Sequence, residues 1–131
     1  MSLELLEPEG LPRPAAYSQA VVARGQRMVF VSGQISVDAD GQLVAPGDLA
    51  GQARQALGNM RRALEAAGAS PGDITKMTTY VVGYRPDHLT AIREARRSEL
   101  GDVRPASTLV GVEALFQPEF LIEVEAVAVL D

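Results

Sequence analysis

The chain contains no cysteine. That removes a disulfide framework, a thiol nucleophile and any zinc site built on thiolates. Its single histidine is His88, beside Asp87, and neither Ser32 nor Ser107 lies in a nucleophile-elbow pattern, so no hydrolase triad can be assembled. The glycines are scattered singly, without a phosphate loop or a dinucleotide fingerprint. No carboxylate cluster has the spacing of metal ligands, and neither a metal nor another cofactor is expected. Basic residues are outnumbered, 12 Lys and Arg against 17 Asp and Glu, which gives a net charge of −5 and a pI near 4.9. A surface of that sign does not draw nucleic acid or anionic membrane. Aromatic residues are only 5% of the chain and form no stripe with basic ones on which RNA bases could stack. No apolar run approaches membrane-spanning length, and the acidic opening MSLELLEPEG lacks the basic and apolar regions of a signal peptide. A cytoplasmic protein without nucleic-acid or membrane partners is expected.

What remains is a globular composition, 47% hydrophobic and 22% charged over 131 residues, enough for one domain over 1–131. Residues 1–16, with Pro8, Pro12 and Pro14, read as an extended lead-in. SQAVVA (18–23) and RMVFVSGQI (27–35) read as strands around a tight turn at Arg24-Gly25-Gln26. Asp40-Gly41 marks a hairpin between two short strands in VDADGQLVA. Asp48 is the expected cap of a first helix, Gly68 its stop, and Leu49, Ala53, Ala56, Leu57, Met60, Leu64 and Ala67 recur at three- and four-residue steps between them. A β-branched strand, ITKMTTYVV (74–82), follows the turn Ser70-Pro71-Gly72-Asp73. Asp87 is the expected cap of a second helix ending at Gly101, before strands STLVGV (107–112) and LIEVEAVAVL (121–130). The order βββαβαββ is an α+β domain, with one mixed sheet packed by two helices. The arginines of the helices (Arg54, Arg61, Arg62; Arg93, Arg96, Arg97) read as solvated faces, although in the second helix Leu89, Ile92, Ala95 or Arg96, and Leu100 are expected to face inward.

The last strand carries the most chemistry. Side chains alternate across a strand, so Glu123 and Glu125 share one face, while Ile122, Val124, Ala126, Ala128 and Leu130 fill the other. Met28 and Phe30 likewise oppose Val29 and Val31, and Val127 and Val129 join the glutamate face. Two helices cover only one face of a sheet that is apolar on both, so a second copy of the chain is expected as the missing layer. A carboxylate in such surroundings can have its proton affinity set by neighbours. A glycosidase pair made from Glu123 and Glu125 is set aside, because such carboxylates flank the substrate from separate elements. Other candidates are Tyr17 where the lead-in meets the first strand, and Ser32 and Gly33 in SGQ, where a glycine lets backbone N–H groups approach a ligand. Ser107 and Thr108 follow Arg104-Pro105-Ala106 at the start of a strand expected to neighbour the last. Asn59 reads as a structural bond to a loop.

Taken together, AAYSQAV, FVSGQI, QARQALGNMRRALEAAGAS, KMTTYVV, RPASTLVGV and LIEVEAVA resemble, in order from about Leu11 to Asp131, the Rid/YjgF family. These are the reactive intermediate deaminases, formerly called endoribonuclease L-PSP. The resemblance implies a chorismate-mutase-like fold and a homotrimer with a barrel-like core and ligand clefts between subunits. It implies hydrolysis of 2-imino acids, which arise from enamines, to 2-oxo acids and ammonia. The family glutamate that activates water corresponds to Glu123, the cleft tyrosine to Tyr17, and the SGQ segment to Ser32, Gly33 and Gln34. The arginine of the family's PARS motif, which pairs with the substrate carboxylate, does not carry over: the chain reads Pro105-Ala106-Ser107-Thr108, with Ser107 in its place. A cleft asparagine of the second helix is replaced by Ile92. Losing a charge-assisted bond costs about 1.5–3 kcal/mol, and Arg104, restricted by Pro105, is expected at a surface or subunit contact. The expectation is therefore a metal-free hydrolase of an imine, enamine or related metabolite that is not an efficient 2-imino acid deaminase. The alternative is a trimer that binds a metabolite without turning it over. Ribonuclease activity is not expected.

Overall fold

The computed structural model describes residues 2–131. Eight elements follow one another: β1 (Ser2–Leu6), β2 (Ala20–Arg24), β3 (Arg27–Gln34), α1 (Leu49–Ala66), β4 (Ile74–Val82), α2 (Leu89–Leu100), β5 (Ala106–Val112) and β6 (Ile122–Leu130). The order βββαβαββ stands, and the strands expected at 18–23 and 27–35 form as β2 and β3, but the third strand comes from the lead-in and not from the Asp40-Gly41 segment. Part of the lead-in forms β1, which pairs antiparallel with β2 from Ser2 opposite Arg24 to Leu6 opposite Ala20. The segment around Asp40-Gly41 shrinks to a single bridge, Val37 to Leu43. There the Asp38 carboxylate accepts from the N–H groups of Asp40 and Gln42, and the turn needs no further ladder.

The remaining four strands form a mixed sheet in the order β3-β6-β4-β5, with β4 and β5 parallel and the other pairs antiparallel. This corrects the expected placement of β5 beside the last strand. α2 is the crossover that parallel neighbours require, so β5 returns beside β4 at the sheet edge, and β4 separates it from β6.

α1 and α2 pack side by side, and α1 lies against β3 and β6. Ala53, Ala56, Leu57, Met60 and Leu64 of α1 are buried against Ile122, Val124, Ala126 and Ala128 of β6. The Asp48 side chain accepts from the Gly51 N–H at the helix start, and Gly68, just past the end, takes φ +78°. Asp87 does not cap α2. It lies in the 3₁₀ turn Pro86–His88 that leads into the helix and accepts two hydrogen bonds from Arg85. The opposite face of the sheet is open: Met28 is 59% exposed and Phe30 71%. Buried Gln52 ties the two layers together, donating to Glu119 C=O at 3.1 Å and accepting from Leu121 N–H at 2.9 Å, directly before β6.

Candidate functional site

Two groups of polar residues form on opposite faces of the sheet. On the open face, β6 presents Glu123 and Glu125. Tyr80 of β4 stands opposite Glu123 in register and Thr78 opposite Glu125. β3 breaks its pairing with β6 between Val31 and Gln34, and Ser32 and Gly33 lie in that irregular stretch. The Glu123 side chain occupies the space a Cβ on Gly33 would need, its Cδ only 2.7 Å from that position. A glycine here leaves room for the close approach of the carboxylate, which any larger residue would have to displace. Burial first, and then the charge of Glu125, push the Glu123 carboxyl above its ordinary value of 4.5. The Tyr80 phenol is likewise raised, first by burial and then by the charge and hydrogen bond of Glu125, so it remains a proton donor at neutral pH.

The second group lies beneath α2. Tyr17, Thr79, Ser107, Leu89, Ile92, Leu109, Arg93 and Arg96 line a cleft of about 80 Å³, where one water needs roughly 10–15 Å³ by the same measure. The lead-in delivers Tyr17 there. Ser18 N–H donates to Pro105 C=O at 3.1 Å and Ser18 Oγ to Arg104 C=O at 2.6 Å, fastening the segment to the start of β5. Arg104 donates to the carbonyls of Pro14 and Tyr17 and pairs with Glu7 at 3.6 Å. Within one chain it clamps the lead-in, a role that the expected surface or subunit contact did not include. Arg96 donates to the carbonyls of Ala16 and Val103. Burial first, and then the charge of Arg93, lower its proton affinity. Of its two expected placements, on a solvated face or turned inward, Arg96 thus takes the inward one.

One chain therefore brings Glu123, Ser32 and Gly33 together, and separately Tyr17 and Ser107, but does not bring the two sets into contact. Thr108 parts from Ser107 by strand alternation; it faces the open side and accepts from Lys76 Nζ at 2.6 Å. The grouping of Ser107 with Thr108 in one place is corrected accordingly. Asn59 donates to the carbonyls of Ile35 and Val37 at 3.0 and 2.9 Å, holding the chain just after the SGQ segment. Sequence reasoning missed Tyr80, Arg93 and Arg96. Tyr80 had a signal, since strand alternation within β4 puts it on the face opposite the buried Met77 and Thr79. Among the described residues no three or more His, Asp and Glu side chains are grouped so as to hold a metal ion. Among the described residues no helix is long and apolar enough to cross a membrane.

Comparison with known proteins agrees with this architecture. The family model described as endoribonuclease L-PSP matches residues 10–130. The chain is 35% identical over 126 residues to RutC family protein PH0854 of Pyrococcus horikoshii, covering 95% of this chain and 96% of that protein. It is 42% identical over 104 residues to the 2-iminobutanoate/2-iminopropanoate deaminase of Salmonella typhimurium, covering 78% and 79%. The crystal structure of YyfB, a Rid family protein of unknown function from Yersinia pestis, superposes with a TM-score of 0.92 at 37% identity over 99% of this chain and 100% of that one. With its order of strands, its glutamate on the final strand and a family match over nearly its whole length, the chain belongs to the endoribonuclease L-PSP family, the Rid/YjgF proteins.

Proposed function

We propose that the protein is a metal-free hydrolase of the deaminase type, acting on a small imine, enamine or related reactive metabolite in a cleft between subunits of a homotrimer. The observation that carries this reading is the seat of Glu123. Its carboxylate lies against Gly33, raised in proton affinity, on a sheet face that is otherwise open and rich in apolar side chains. A carboxylate kept there without a donor or cation for its charge is a cost to the fold; one that takes a proton from water has a use. The partner copy would cover Met28 and Phe30 and bring its own Tyr17 and Ser107 opposite Glu123, Ser32, Gly33 and Thr108. Each copy then gives one half of a site to each neighbour, as closed rings do.

In the reaction, Glu123 accepts a proton from water as the water oxygen bonds to the imine carbon. That proton passes to nitrogen, giving a carbinolamine. Its C–N bond then breaks as the hydroxyl proton is carried by Glu123 to the departing nitrogen, leaving a carbonyl compound and ammonia. An enamine enters the same sequence after its carbon is protonated to the imine. Backbone N–H groups of the SGQ segment would hold the charge that develops in the cleft. Ser107 offers a carboxylate no cation on β5, so hydrolysis of 2-imino acids is expected to be slow compared with members that keep the motif arginine.

The test is hydrolysis of 2-iminopropanoate, generated in situ from alanine by an amino acid oxidase. Glu123→Gln should lower kcat by about 100-fold or more, the usual range for removal of a general base. Ser107→Arg should raise the wild-type rate. Turnover unchanged in Glu123→Gln would remove the hydrolase reading. A wild type that binds 2-oxo acids but has no turnover, even as Ser107→Arg, would establish the binding trimer instead. A monomer in sedimentation at micromolar concentration would overturn the shared cleft.

A further inference from the structure

We propose that the outer side of α1 carries a second ligand site, an open groove in which Arg54 and Arg62 grip the phosphate of a small sugar phosphate. The site is separate from the proposed hydrolase cleft and stands without it.

Position is the first argument. Gly51, Arg54, Gln55, Gly58 and Arg62 recur at three- and four-residue steps of α1, which presents them together along one side of the groove. Val44 and Ala45 of the preceding loop form one wall, and Glu99 of α2 lies on the other. The space holds about 350 Å³, against about 80 Å³ for the cleft beneath α2. It is complete within one chain. Other residues of α1, Ala53, Ala56, Leu57, Met60 and Leu64, face the sheet, so the helix stands between the groove and the open sheet face that the proposed trimer covers.

Charge is the second argument. Arg54 is exposed and makes no hydrogen bond or ion pair among the described residues. Arg62 donates only to the neutral Asn59 Oδ1, at 3.1 Å. The two carboxylates of the groove are engaged elsewhere: Asp48 accepts from Gly51 N–H at the start of α1, and Glu99 pairs with Arg61 at 3.4 Å. Arg54 and Arg62 stand about 12 Å apart along the axis, at 1.5 Å per residue, with Gly58 midway. Their planar donors can close from both sides on one phosphate resting there. Asp48 at one end and Glu99 toward the other would accept from hydroxyl groups, which favours a sugar phosphate over the bare ion.

Gly58 is the third argument. A methyl group on it would meet nothing closer than Arg62 Nη1 at 3.5 Å, an ordinary contact, so alanine fits. A glycine inside a helix weakens that helix. Packing therefore gives no reason for it, whereas as the floor of the groove it keeps open the place between the two guanidinium groups.

Ligand-observed NMR titration of the intact protein with ribose 5-phosphate and glycerol 3-phosphate at fixed ionic strength tests this, with ribose and inorganic phosphate as controls. At least one of the two esters should bind, more tightly than inorganic phosphate, and ribose should not bind. Arg54→Gln and Arg62→Gln should each weaken the ester at least about tenfold, the usual effect of losing one charge-assisted contact. Gly58→Leu should fill the floor and abolish binding, with a retained thermal transition verifying that the variant is folded. Gly58→Ala should raise the thermal midpoint, the gain in helix propensity that the wild type forgoes. Binding of neither ester, equal affinity for ester and inorganic phosphate, or wild-type affinity in Arg54→Gln or Gly58→Leu overturns the proposal. A lower midpoint in Gly58→Ala overturns it as well, because the glycine is then needed by the fold. Hydrolysis of 2-iminopropanoate separates the two sites: Arg54→Gln should leave it unchanged, and Glu123→Gln should leave ester binding unchanged. Ester binding lost in Glu123→Gln would place the ligand in the hydrolase cleft and remove the second site.

Discussion

The two faces of β6 do different work with alternate residues of one strand. Ile122, Val124, Ala126 and Ala128 are closed beneath α1 and hold the domain together. Glu123 and Glu125, one residue out of step, face the open side beside Tyr80 and the SGQ segment. The closed face is apolar and packed; the open face mixes exposed Met28 and Phe30 with two carboxylates and a phenol. A strand of period two can thus carry a packed apolar face and an open face with two carboxylates in nine residues (Ile122–Leu130). The division holds only if substitutions on one face leave the other undisturbed.

The largest expected effect lies on the closed face. Ile122 is fully buried, and Ile122→Ala should lower unfolding free energy by about 2–5 kcal/mol at fixed protein concentration. Denaturant titration measures this. If the faces are independent, the surviving folded protein keeps the wild-type kcat. A kcat that falls in step with stability would mean that Glu123 is positioned by the core, and the comparison breaks.

Next is Gly33→Ala. The new methyl group would meet the Glu123 carboxylate, the movable end of a side chain, and not backbone. Stability should therefore change little while Glu123 swings aside, and kcat should fall by up to about 100-fold, the scale associated with misplacing a reacting group by about 1 Å. Loss of stability without loss of activity would show that the contact is mere packing.

Much of this division was legible in the sequence, because alternation needs only neighbours. The roles of Ile122 and Val124 against Glu123 and Glu125, the helix start at Asp48 and the stop at Gly68 follow from short-range periodicity and capping. The link from Asn59 to the following loop was also readable as a structural bond. What failed depended on distant partners. β1 was hidden among the prolines of the lead-in, and its partner β2 lies beyond Pro8, Pro12 and Pro14. The anchoring of the lead-in by Arg96 and Arg104 was not readable, because the carbonyls they hold, of Ala16 and Tyr17, are 80 and 87 residues away. The separation of Glu123 from Tyr17 and Ser107 required the strand order, and one long-range misplacement, β5 beside β6, put Ser107 too near the glutamate. The crossover helix between β4 and β5 was the available signal.

The finest test of the open face is its pH dependence, where Glu125 is the variable. A general base works ionised, so kcat/KM should rise with pH through the Glu123 pKa of the free enzyme. Burial and then Glu125 raise that pKa, so the limb should lie above the ordinary value of 4.5. Glu125→Gln removes the second cause and leaves the first: the limb moves to lower pH but does not reach 4.5. Stability should follow the same sign. Between the ordinary and raised values the folded state binds more protons than the unfolded one, so stability falls as pH rises through that window. Glu123→Gln should then be more stable than wild type at neutral pH by a small margin, since solvent screens the group, and lose that margin below the ordinary value. A limb that stays in place in Glu125→Gln would mean that burial alone sets Glu123, and that the second glutamate serves the contact between copies instead of the chemistry.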